Sequence, residues 1–257
     1  MKKTFFILAA ATMSLAACNK TVLDAPAEYG YLNFDVAADN TIKVETKAGD
    51  EDFTYDVKDF TVAFGGKNYT VAELASPVVI GTGTYPVEAY NCTLEAGETG
   101  NGQLRMADTE SVTVNANETA TAILRCTPKS SEVKLVYSAA YKALYPNSEF
   151  TLIGTRNNVA DTRLEMTEGV PVYYNNTENG TVAVEYEIKA EGESSTQNTT
   201  FGGSLTLKNA YSLTVTVDVQ KADGKISIDL KATNMLTNES STITVNPYTG
   251  NSSVAQN

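Results

Sequence analysis

Four residues close to the N-terminus, Leu15-Ala16-Ala17-Cys18, have the types and spacing that one covalent reaction requires. Two alanines before the cysteine let a signal peptidase reach the bond, and the Cys18 thiol takes diacylglycerol as a thioether, with acyl chains of the palmitate class. Leu15, three positions before the cysteine, completes a lipobox. The lead-in agrees. Lys2-Lys3 give a basic start, and Thr4 to Ala17 form a largely apolar stretch of fourteen residues. That is too short to span a bilayer core, which needs ~20 residues. It has the form of a secretory signal, to be set apart from the fold. A soluble secretory signal with a chance cysteine would not require leucine and two alanines at these places. The expected partner of Cys18 is outer-membrane lipid.

The two other cysteines, Cys92 and Cys126, are 34 positions apart, each at the end of a strand-like run. In an exported chain such a pair either closes a disulfide, stabilising by roughly 3–4 kcal/mol in the loop-entropy model, or fills core space as two free thiols. No other catalytic chemistry is written plainly. The chain has no histidine and no tryptophan. Lack of histidine excludes Ser-His-Asp and Cys-His nucleophiles and removes the commonest zinc or copper ligand. Lack of tryptophan removes the usual stacking platform for sugars, although 14 tyrosines remain. Asp50-Glu51-Asp52 is the densest acidic cluster, but without calcium-loop spacing it reads as a solvated loop. Glu185 and Glu187 share one strand face, as paired hydrolytic carboxylates might, yet solubilising glutamates do the same. No serine sits in a Gly-x-Ser-x-Gly elbow. Tyr29 with Tyr31, and Tyr173 with Tyr174, could form an aromatic patch or be half-buried strand residues. No metal, cofactor or enzymatic activity is expected.

Removal of residues 1–17 leaves 240 residues and, with Lys2 and Lys3 gone, a formal charge of −14 in place of −12. Such a chain lacks the clustered positive charge that binds phosphates, so nucleic acid is not an expected partner. Residues 18–28 read as a tether. From residue 29, apolar and polar residues alternate with period two almost to the end. Gly65-Gly66 and Ala222-Asp223-Gly224-Lys225 predict hairpin turns. Residues 93–108 read as a loop, and Ala139 to Tyr145 is the one helix candidate. A Pro/Ser border near 127–131 divides the chain. The expected fold is all-β: two tandem antiparallel β-sandwich domains, 29–129 and 130–247, with a polar tail at 248–257. A single larger sandwich is the alternative.

An ordered set of short motifs resembles one family. After the lipobox come Gly30-Tyr31-Leu32-Asn33-Phe34-Asp35-Val36, Thr46-Lys47-Ala48-Gly49-Asp50 and Phe60-Thr61-Val62. Gly83-Thr84-Tyr85-Pro86-Val87-Glu88-Ala89, Val112-Thr113-Val114 and Glu132-Val133-Lys134-Leu135 follow. The set is similar to the fimbrillin-like lipoproteins of the Bacteroides group, in the branch that carries a domain of unknown function. The resemblance implies transthyretin-like sandwiches and an outer-membrane lipid anchor. It also implies a structural or adhesive role as a fimbrial anchor, tip or accessory subunit, with fimbrial subunits or host ligands as partners. Pilus subunits of that family mature by arginine-specific cleavage, and the matching position here is Lys47. The first arginine is Arg105, which speaks against arginine-dependent processing and for a permanent fitting displayed on the surface or facing the periplasm. The alternative is a glycan-binding accessory lipoprotein of a nutrient-uptake system.

Overall fold

Alternation becomes strand wherever one face can be covered. In the stretch Thr181–Ala190, Val184, Tyr186, Ile188 and Ala190 are buried, while Glu185 and Lys189 point to water. The computed structural model describes residues 28–39, 43–46, 49–52, 55–175, 180–194, 198–220, 225–247 and 254–255. The first half contains β1 (Tyr29–Ala38), β2 (Lys43–Thr46), β3 (Gly49–Asp52), β4 (Thr61–Phe64), β5 (Lys67–Thr70), β6 (Val78–Gly81), β7 (Gly83–Tyr90), β8 (Met106–Val114) and β9 (Thr119–Pro128). The second contains β10 (Ser130–Tyr137), β11 (Glu149–Arg156), β12 (Val159–Glu165), β13 (Val172–Asn175), β14 (Thr181–Ala190), β15 (Thr199–Lys208), β16 (Tyr211–Val219), β17 (Ile226–Asn234), β18 (Ser240–Val245) and β19 (Val254–Ala255).

The first half has a two-stranded sheet, β2-β3, and one seven-stranded sheet, β5-β4-β7-β8-β9-β1-β6, which folds over on itself between β8 and β9. Those two strands share only the pairs Met106↔Pro128 and Ala107↔Thr127. Beyond them side chains replace the ladder. Asp108 Oδ2 accepts the Arg125 N–H at 2.8 Å, and Glu110 Oε2 accepts the Ile123 N–H at 2.5 Å. The fold brings Phe34 of β1 against Phe64 of β4, ring centroids 4.8 Å apart, although three strands separate them along the sheet. A core of Leu32, Val62, Val87, Met106, Val114 and Leu124 lies between the two layers.

The second half pairs two five-stranded sheets, β13-β10-β16-β17-β18 and β12-β11-β14-β15-β19. Their core includes Leu135, Phe150, Leu152, Ile188, Val217 and Ile228. The order β6-β1-β9 recurs as β13-β10-β16, and β5-β4-β7-β8 recurs as β12-β11-β14-β15. Each half thus uses the same seven-strand plan, to which the first adds the β2-β3 pair and the second adds β17, β18 and β19.

Several expectations hold. Gly65 and Gly66 take φ of 56° and 74° between paired β4 and β5. β16 and β17 pair from Tyr211↔Asn234 to Val219↔Ile226, while residues 222–224 lie outside the described residues. Others are corrected. Asp50-Glu51-Asp52 stands on β3, paired with β2, and is not a loop. Within 93–108 the chain forms a helix, Leu94–Glu98, capped by the Thr93 hydroxyl accepting the Ala96 N–H at 3.2 Å. Most strand pairs are antiparallel, but the first strand of each half is not hairpin-paired: β1 runs parallel to β9, and β10 parallel to β16.

Candidate functional site

The residues with the clearest covalent chemistry, Leu15, Ala16, Ala17 and Cys18, lie outside the described residues, as does Lys47. The fold shows what they are attached to. Glu28 leads directly into β1 at Tyr29. β1 lies inside its layer, between β9 and β6. It pairs with β9 from Tyr31↔Thr119 to Ala38↔Cys126 and with β6 from Tyr29↔Gly81 to Leu32↔Val78. Its ends are fixed as well: Asn117 N–H donates to the Tyr29 carbonyl at 2.8 Å and Asp39 N–H to the Cys126 carbonyl at 3.0 Å. On the outer face Arg125 Nη2 lies 2.6 Å from Asp35 Oδ2, and its Nη1 donates to the Asp35 carbonyl at 3.1 Å. That guanidinium holds the Asp35 carboxyl below its ordinary range. Gly30 is where β1 comes closest to the β8–β9 turn. A Cβ there would stand 2.3 Å from the Asn115 carbonyl oxygen and 2.5 Å from Val114 Cγ1.

A polar seam joins the halves. Glu98, 6% exposed, accepts two backbone N–H groups of the second half, from Asn157 at 2.5 Å and Asn175 at 2.6 Å. Arg156 Nη2 answers by donating to the Gly100 carbonyl at 3.0 Å, and Tyr173 N–H donates to the Asn101 carbonyl at 3.2 Å. β13 would otherwise present an open sheet edge; here groups of the first half occupy it. Beside the seam, Glu132 is fully buried. Its carboxylate accepts the Ser212 hydroxyl at 2.5 Å and the Tyr173 hydroxyl at 3.0 Å, and lies 3.1 Å from Lys134 Nζ.

The two tyrosine pairs separate. Tyr29 and Tyr31 are 57% and 45% exposed on the outer face of β1, whereas Tyr173 and Tyr174 are buried. Burial pushes the Tyr55 and Tyr174 phenols up to about 12 from an ordinary value near 10. Each keeps its proton in the fold to higher pH than in the unfolded chain. Their stabilisation is therefore complete below pH ~10 and is lost as pH rises toward 12, at up to about 1.4 kcal/mol per pH unit per group. Circular dichroism and absorbance at 295 nm, followed together, should show a late tyrosine fraction ionising as the strands unfold. Full ionisation near pH 10 with the strands intact would contradict this.

Cys92 and Cys126 stand as free, buried thiols, with no bridge between them. Cys126 Sγ lies 3.6 Å from the Ala89 carbonyl oxygen. Burial raises both thiols, Cys126 to about 11. Thiolate is the reactive form, so a chain produced from Asn19 onward should resist Ellman's reagent when folded and yield two thiols in guanidinium. No thiol in guanidinium would establish a disulfide.

Glu185 and Glu187 both line an open trough with Ile153, Gly202 and Ser204, and Glu187 is held there by Arg163 at 2.7 Å. Among the described residues no group of three His, Cys, Asp or Glu side chains is placed to hold a metal, and no helix is long and apolar enough to cross a membrane. Sequence reading missed Glu98 and Arg156, since neither lies in a recognisable motif.

A family model with the description Domain of unknown function (DUF4493) matches residues 28–247. This agrees with the resemblance to the fimbrillin-like branch that carries such a domain. No curated protein matches the chain. Solved structures with some likeness include a fimbrial assembly protein from Parabacteroides distasonis, 10% identical, covering 84% of this chain and 98% of that one with a TM-score of 0.40. Another is the fimbrial anchor protein Mfa2 from Porphyromonas gingivalis, 10% identical, covering 81% and 98% with a TM-score of 0.38.

Proposed function

The chain belongs to the family described as Domain of unknown function (DUF4493), and from that premise we propose that it is a non-enzymatic, lipid-anchored protein of the outer membrane with a structural or adhesive role. It serves as an anchor, tip or accessory subunit of a fimbria, built from sandwich domains at 29–129 and 130–247. The observation that carries this reading is the placement of β1. The lipobox cysteine precedes Glu28 by ten residues, and Glu28 leads at once into a strand hydrogen-bonded on both edges. Ten residues reach at most about 35 Å, so lipid on Cys18 would hold the body close to the bilayer through a strand of its own core. With Lys47 where the family's protease needs arginine, that strand stays joined to the anchor.

The test is genetic. Cys18→Ala should release the protein from the membrane fraction, and protease added to intact cells should degrade the wild type if it faces outward. A Cys18→Ala protein still held in the membrane would sink the anchor. The second reading, a glycan-binding accessory lipoprotein, draws support from the exposed Tyr29 and Tyr31 rings, which are able to stack on sugars. Saturable binding of one polysaccharide on a glycan array, lost in Tyr31→Ala, would favour it.

A further inference from the structure

β1 is the first strand of its half and β9 the last, and the two lie side by side in parallel. This arrangement has a mechanical consequence. A load that enters at Glu28 and leaves at Lys129 pulls the two strands along their own axes in opposite directions. Every hydrogen bond of the parallel ladder is then stretched at once and shares the force. Were the same strands pulled apart from one end, the bonds would break one after another.

We propose that the N-terminal half has a load-bearing function, with β1 and β9 acting as a shear clamp against tension applied through the tether. The ladder spans eight residue pairs, Tyr31↔Thr119 to Ala38↔Cys126, and sliding β1 must also break its four pairs with β6. Side chains resist the same slide. The Asp35–Arg125 ion pair bridges the two strands at 2.6 Å. Leu32 is fully buried, and Phe34 is packed on Phe64. The second half has the parallel pair β10 and β16, but β17 and β18 follow β16, so its first strand is not clamped to its last.

Use of the clamp in the cell rests on Cys18 being the point of attachment; the clamp itself does not. Single-molecule pulling of the chain from Asn19 onward tests it, with handles on introduced cysteines, since Cys92 and Cys126 are buried. In one chain the handles sit at Glu28→Cys and Lys129→Cys, at opposite ends of the pair. In the other they sit at Glu28→Cys and Glu118→Cys, at the same end. Both chains are first matched to the parent by melting temperature. Opposite-end pulling should need roughly threefold more force than same-end pulling, because forced unfolding follows the barrier along the direction pulled. Equal forces, or a weaker opposite-end response, would overturn the clamp. A chain found without lipid on Cys18 would remove the cellular load and leave this measurement standing.

Discussion

Replacing Glu98 by alanine is expected to destabilise the folded chain by about 3 kcal/mol or more, because buried donors left without partners cost about 1–3 kcal/mol each. The carboxylate accepts the N–H groups of Asn157 and Asn175. Water does not reach the side chain freely, since Glu98 is buried. For a chain of this size that loss lowers the melting temperature by about 6–12 °C. It should also separate the melting of the halves, because the seam is their polar link. Glu98→Gln keeps one acceptor oxygen and sets an amide donor against the other N–H, so it should fall between wild type and alanine. Calorimetry measures both effects. Unchanged melting in Glu98→Ala would mean that the Glu98 carboxylate does not hold the halves together.

Gly30→Ala is expected to have the second largest effect, about 2–3 kcal/mol of destabilisation, the range of forced overpacking in a closed site. The added methyl would meet the Asn115 carbonyl at 2.3 Å and Val114 Cγ1 at 2.5 Å. The side chain could turn aside, but the carbonyl belongs to the turn that joins β8 to β9, where Asn117 already takes a φ of 59°. Relief has to come from β1 backing out of its layer. Hydrogen exchange should therefore quicken along β1 and β9 and change little in the second half. Tyr31→Ala, one residue away with its ring in solvent, should cost less than about 0.5 kcal/mol. Equal effects from the two substitutions would show that β1 is sensitive in general and not lodged at Gly30.

Much of the fold is legible in the sequence because period-two alternation and turn residues are local signals. Val62 and Phe64 before Gly65-Gly66, and the alternating runs of β16 and β17, show this plainly. What stays hidden has a physical cause in each case. Glu132 and Lys134 alternate with Val133 and Leu135, which predicts an outward, wet face. That face is buried, because the whole stretch Ser130–Leu135 is covered on both sides. Alternation separates two faces and does not say whether a second body covers the polar one. The parallel pairings of β1 with β9 and β10 with β16 join strands some eighty to ninety positions apart in sequence, beyond the reach of any turn signal. The Leu94–Glu98 helix is five residues long and contains Gly97, too short for a helical period to register. Glu98 became visible only when β13 came to lie against it.

The lipobox, by contrast, is legible in the sequence alone, and tethering of the fold depends on it. Mass spectrometry of the mature N-terminus, on protein purified from membranes of cells that make it, tests that claim most directly. The expected result is a chain that begins at Cys18 and carries diacylglycerol on the sulfur. A chain that begins elsewhere, or an unmodified Cys18, would contradict it.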